Sequence, residues 1–140
     1  MIYQRDNDII MIKFFVVVLF ALMPSGVMQS ADDIATEVSK AIGSGNSRAL
    51  ARHFGPNVEL FLPGAEGTFS RSQSEVILRD FFSKNPPSKL TISRQEISRD
   101  GSIYVIGILR TRDGSSYRVY YLIKRVSQTH VLHQFQAEPQ

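Results

Sequence analysis

Two Asp-Gly pairs, Asp100-Gly101 and Asp113-Gly114, punctuate a long run in which apolar and polar residues alternate. Asp-Gly supplies the positive φ of a tight hairpin turn, and a period of two is the mark of a strand with one buried face. The run therefore divides into four strands, Lys89–Arg99, Ser102–Arg112, Ser115–Val126 and His130–Ala137. Successive strands joined by such short turns can only be antiparallel neighbours. A sheet of this kind must hide its apolar face under something, and the preceding sequence has to supply it.

The segment before the strands reads as helices. Asp32 and Asp33 are placed to cap a helix whose Ile34, Val38 and Ile42 recur at four-residue steps, and Gly43 and Gly45 stop it. Asn46 or Ser47 caps a second, short helix with Leu50, Ala51 and Phe54 inward, closed by Gly55-Pro56. A strand follows over Val58–Leu62, then a short extended piece over Gly67–Ser70. Ser72 and Glu75 have the spacing of a capping box for a third helix, with Ile77, Leu78, Phe81 and Phe82 on one side and Asn85-Pro86-Pro87 at its end. The expectation is an α+β domain: a curved antiparallel sheet packed against three N-terminal helices.

Upstream lies Lys13, then the apolar run Phe14–Met23, then Pro24, Ser25 and Gly26, then the small residues Ser30 and Ala31. That order is the order of a secretory signal peptide, and the run is too short for the roughly 20 residues of a membrane span. Residues 1–10 carry Asp6 and Asp8 where a signal wants positive charge, so Met11 is the expected start. The expected division is an extension over 1–10, a signal peptide over 11–30, and one domain over 31–140. Export to the periplasm or medium follows, with no stable membrane anchor after cleavage. The chain has no cysteine, so disulfides, thiolate nucleophiles and Cys-bound zinc are excluded. Stability must come from an apolar core, consistent with 43% hydrophobic residues. A net charge of +3 without dense one-sided Lys/Arg clustering gives no reason to expect a nucleic-acid partner.

The element order resembles the nuclear-transport-factor-2-like superfamily. The stretches LRDFF (78–82), IGILRTRDGSSYRVYYLIKR (106–125) and HVLHQFQAE (130–138) are similar to an uncharacterised bacterial family of small exported proteins of that fold. The resemblance spans residues 33–138. It implies a cone of curved sheet closed by three helices, with isomerases, dehydratases, ligand carriers and non-catalytic dimers all among its members. Fold alone decides between none of these.

The candidate chemistry is sparse. His130 and His133 are an odd offset apart on one strand and cannot share an ion, and His53 has no evident partner, so no metal and no cofactor are expected. Isomerases of the superfamily keep an acid or base with a tyrosine in an apolar hollow. Alternation turns Tyr117, Val119, Tyr121 and Ile123 inward on the third strand of the meander. On the last it turns Val131, His133, Phe135 and Ala137 inward. His133, Tyr117, Tyr121 and Phe135 are thus the expected pocket lining, yet no Asp or Glu falls on these faces: Asp100 and Asp113 are turn residues, and Glu59 and Glu96 alternate outward or sit among polar neighbours. Arg110, Arg112, Arg118 and Lys124 crowd the central hairpin, read either as an anion-binding patch or as a solvated, charge-guarded sheet. The stretch Ser102–Leu109 is apolar on both faces: Ile103, Val105 and Leu109 on one, Tyr104, Ile106 and Ile108 on the other. A second copy covering the outer side is the expectation, against sheet curvature, a covering loop or a different partner. The function expected is a non-catalytic binding module, dimeric through the sheet, with a small apolar or anionic ligand. The alternative is an isomerase or lyase working through His133 and a tyrosine.

Overall fold

The computed structural model describes residues 30–140. Of the expected extension and signal, residues 1–29 lie outside the described residues, and the expected signal's last residue, Ser30, is the first one described. Helix α1 covers Ala31–Ser44 and α2 Ser47–Ala51. Strand β1 covers Phe54–Leu62, β2 Ala65–Ser70, and helix α3 Arg71–Lys84. Strands β3 (Pro87–Ile97), β4 (Ile103–Thr111), β5 (Ser116–Val126) and β6 (Thr129–Pro139) follow.

Helix α1 buries Ile34, Ala35, Val38, Ala41 and Ile42, the four-residue stripe of the sequence. Its cap is Ser30 rather than Asp32: the Ser30 hydroxyl accepts from the Asp33 amide, and the Asp33 carboxylate accepts from the Ser30 amide. Asp33 serves the box from inside the first turn, where its charge also faces the positive end of the helix. Gly45 closes α1 at φ +66°, and a Cβ there would stand 2.9 Å from the Pro87 ring. Both facts require glycine, and the resulting turn folds α2 back. For α3, the box forms on Ser70 and Gln73, two residues before the expected Ser72–Glu75 pair. Ser70 ends β2 in extended geometry, so the helix starts directly from the strand, and Ser74 enters the core.

The sheet is six-stranded and curved, in the order β2-β1-β6-β5-β4-β3. Every neighbouring pair is antiparallel except β1 and β6, which run parallel. The sheet is thus mixed and open at β2 and β3. Gly55-Pro56 does not end the preceding helix as expected. It lies inside β1, between Phe54, which pairs with Leu132, and Glu59, which pairs with Gln134. The pairing skips these residues, so the missing proline N–H costs no ladder bond. Further irregularities occur between Ile92 and Arg94 and between Leu122 and Ile123. Such bulges bend strands and steepen the twist.

Helices α1 and α3 pack on one face of the sheet, α1 over β3 and β4 and α3 over β1 and β2, and α2 lies against α3. Between the layers Tyr121, Phe54, Phe135, Leu60, Leu78 and Ile123 are fully buried. The opposite face of the sheet carries no covering element among the described residues.

Candidate functional site

The hollow of the cone comes first, because the expected pocket lay there. On β5, Val119, Tyr121 and Ile123 are buried and Tyr117 is partly so, the inward set read from alternation. The Tyr121 hydroxyl lies 2.6 Å from Ser39 Oγ, which also bonds the Ala35 carbonyl at 2.8 Å. Burial pushes the Tyr121 phenol up to about 12, only partly opposed by the Ser39 contact. Tyr117 donates to Asn85 Oδ1 at 2.8 Å, and its ring stands edge-on to Phe81 with centroids 5.4 Å apart. Phe135 meets Phe82 in the same manner, centroids 6.5 Å apart. The two tyrosine hydroxyls therefore tie the sheet to α1 and to the residue that caps the end of α3, and the aromatic rings pack between.

His133 is not on the face assigned to it. Leu122 pairs with Gln134 and the next residue, Ile123, pairs with Leu132. His133 is the extra residue of this bulge. The inward set of β6 is therefore Leu132, Phe135 and Ala137, not Val131, His133, Phe135 and Ala137. His133 is half-buried, and Val131 likewise. Among the described residues, the buried polar side chains are Ser47, Ser74, Ser102 and Thr111, and none ionises near neutral pH. His130 bonds the Gly101 carbonyl at 3.0 Å, and His53 pairs with Glu37 at 3.3 Å. No group of three metal-ligating side chains occurs among the described residues.

The basic residues of the central hairpin do not form one cluster. Arg110 and Arg118 are exposed near the β4–β5 turn, with Glu138 opposite Arg118 on β6. Arg112 sits in that turn and donates its backbone amide to Pro86 at 2.9 Å. Lys124 is six residues beyond Arg118 on β5, which at about 3.3 Å per residue is roughly 20 Å away. The turn itself is held by Asp113, which accepts from Thr111 Oγ1 and from the Ser115 amide. Those donors lower its pKa, and Asp100 is lowered likewise by Ser98 and Ser102.

The uncovered face of the sheet is more coherent. Register places Tyr104, Ile106 and Ile108 on β4 opposite Leu122, Tyr120 and Arg118 on β5. The rings of Tyr104 and Tyr120 lie 6.4 Å apart. Tyr104 is 38% exposed, and Phe61 of β1, paired through Gln136, is 37% exposed. A shallow depression of about 360 Å³ crosses this face between Ile106, Arg118, Tyr120 and Gln136. Burial raises the pKa of the Tyr120 phenol, and the neighbouring Tyr104 adds to it.

A second concavity, absent from the sequence reading, opens on the helical side. A cleft of about 740 Å³ runs between the α1–α2 turn and α3, lined by Asn46, Ser47, Arg48, Glu75 and Arg79. It adjoins a smaller one of about 360 Å³ that includes Lys40, Arg52 and His53. Arg48 and Arg79 come from elements 31 positions apart, so no local motif announces them.

Comparison with known proteins fits this geometry. The profile of a domain of unknown function (DUF4783) matches residues 35–138. A DUF4783 family protein from Bacteroides ovatus ATCC 8483 is 29% identical over 74% of this chain and 93% of its own, with a TM-score of 0.68. Another, from Bacteroides uniformis ATCC 8492, is 27% identical over 76% of this chain and 97% of its own, with a TM-score of 0.71. An NTF2-like protein of unknown function from Cytophaga hutchinsonii ATCC 33406 shares the fold at 10% identity. It covers 82% of this chain and 94% of its own, with a TM-score of 0.58. No curated protein matches.

Proposed function

We propose, from the premise that this chain belongs to the DUF4783 family and has an NTF2-like fold, that it is an exported, non-catalytic interaction module. It pairs with a second copy of itself through the uncovered face of the sheet. The observation that carries this reading is the apolar stripe of Tyr104, Ile106, Ile108, Tyr120, Leu122 and Phe61 on a face that no element among the described residues covers. An antiparallel sheet facing water ordinarily turns polar residues outward. Charges of both signs flank the stripe, Arg118 with Glu138 at one margin and Arg94 with Glu96, 3.0 Å apart, near the other. A two-fold interface brings each margin against a copied one, so mixed signs suit a second copy better than a partner of single charge.

The non-catalytic part rests on the hollow. Its two tyrosines are engaged by Ser39 and Asn85, and the bulge withdraws His133 from the inward face. The isomerase or lyase alternative needs His133 beside a tyrosine there. Export rests on the leader-like order of Lys13, Phe14–Met23 and Ser30.

Sedimentation equilibrium tests the pairing. The wild-type chain is expected to sediment as a dimer, and Ile106→Arg as a monomer with unchanged circular dichroism. A monomeric wild type, or a dimer indifferent to Ile106→Arg and to Tyr120→Glu, overturns the reading.

A further inference from the structure

We infer that the cleft between the α1–α2 turn and α3 is a binding site for an anionic carbohydrate, a sugar chain carrying sulfate or carboxylate groups. The cleft is walled by two guanidinium groups from separate helices, Arg48 of α2 and Arg79 of α3. Among the described residues neither one is ion-paired with a carboxylate. Both are exposed, and arginines lining one cleft from two elements offer planar donor forks, the group that takes an oxyanion in two parallel hydrogen bonds.

The floor adds neutral donors. Asn46 spends its side-chain oxygen on the Ala49 amide at 2.9 Å, which leaves its NH2 group to face outward. Ser47 lines the floor beside it and is only 8% exposed. Among the described residues, Glu75 alone brings negative charge to this cleft. It sits one turn before Arg79 on α3 without pairing to it, so its oxygens remain acceptors for ligand hydroxyls. Oxyanion donors beside a separate hydroxyl acceptor distinguish an acidic sugar from a bare inorganic anion, which would be repelled by Glu75. The adjoining cleft shares Ser44 and Asn46 with the first and adds the cations Arg52 and Lys40, with Glu37 beside them paired to His53. That continuity suits a chain of several sugars rather than a single one. Gly45, required by its φ of +66° and by Pro87, is what fixes the turn against α3 and so sets the spacing of the two walls.

The site is on the helical side, so it does not depend on pairing through the sheet. Isothermal titration of the full chain uses four probes: a heparin tetrasaccharide, a tetragalacturonate, a neutral cello-oligosaccharide and inorganic sulfate. Binding of the sulfated or the carboxylated chain, weakening as salt rises, is the expected result, and which of the two binds identifies the acidic group. Arg48→Ala with Arg79→Ala should weaken that binding by about tenfold or more, whereas Arg110→Ala with Arg118→Ala should leave it unchanged. Glu75→Gln should weaken the sugar chain and strengthen inorganic sulfate. Ile106→Arg should bind as the wild type does, which separates this site from the dimer. Three results overturn the inference: neither acidic sugar binds at low salt; the Arg110/Arg118 pair carries the binding instead; or sulfate binds as well as the sugars and Glu75→Gln changes neither.

Discussion

Tyr121→Phe should cost stability near neutral pH and restore it in alkali. Tyr121 is fully buried, and its hydroxyl lies 2.6 Å from Ser39 Oγ. Removing the oxygen deletes one hydrogen bond, while Ser39 keeps its bond to the Ala35 carbonyl and is itself only half-buried. The loss at pH 8 should therefore be that of a net hydrogen bond, about 1 kcal/mol. The alkaline branch has the opposite sign. The phenol is raised from 10.0 to about 12 in the folded chain. The native state thus keeps a proton that the unfolded chain gives up. The associated stability is fully present below the unfolded value of 10.0 and is lost as pH rises toward 12, a total of about 2.7 kcal/mol for a two-unit shift. Phenylalanine has no such proton, so the variant escapes the loss. By about pH 11 the wild type has given up roughly 1.4 kcal/mol more than the variant, and the two stabilities should cross near there. The other tyrosines are common to both chains and cancel in the difference. Urea unfolding at a series of pH values from 8 to 11.5 reads it directly. A difference between the chains that stays constant across that range would refute the burial of an unionised phenol.

Gly107→Ala should destabilise by about 2 kcal/mol in the same assay, because a Cβ would stand 2.7 Å from the Thr91 carbonyl oxygen of the paired strand. Leu78→Ala, at a fully buried position under α3, should cost about 3 kcal/mol by leaving a cavity between helix and sheet. Asp113→Asn should lower stability at pH 6 and lose that effect as pH falls. The wild-type carboxylate is held below 3.8 by Thr111 and Ser115, so its contribution is present above that value and vanishes on protonation. A gap between wild type and Asp113→Asn that persists unchanged at pH 2.5 contradicts this account.

The hairpins were legible because their signals are local. Asp100-Gly101 and Asp113-Gly114 place glycines at φ +85° and +87°, where the turns demand them. The third turn uses Ser127 at φ 57°, an ordinary residue in a left-handed conformation, and nothing in its chemistry marks it. The α-helical stripes were equally plain, while two caps lay two residues earlier than expected, Ser30 in place of Asp32 and Ser70 in place of Ser72, because neighbouring Ser and Asp side chains can all cap. The last strand was misread for a different reason. In HVLHQFQA, either Val131 with His133 or Leu132 with a bulge satisfies the inward pattern as far as Phe135. The choice is made by neighbours far along the chain: Leu132 pairs with Phe54 on one side and Ile123 on the other.

The same distinction explains why the fold was readable and the sites were not. Packing follows periodicity, and periodicity is printed along a single segment. Binding surfaces assemble from residues that share no segment. The outer stripe showed itself in part, since β4 is apolar on both faces, but Phe61 joins it only through the parallel pairing of β1 with β6. Parallel neighbours cannot be adjacent in sequence, so that contribution is invisible to any hairpin rule. Arg48 and Arg79 are more hidden still. Each reads alone as a solvated helical cation, and they face one cleft only because the Gly45 turn lays α2 against α3. The turn that glycine permits decides whether two unremarkable arginines act separately or as one site. A bulkier residue at position 45, forced against Pro87 and out of its favoured φ, should therefore weaken acidic-sugar binding and helix packing together.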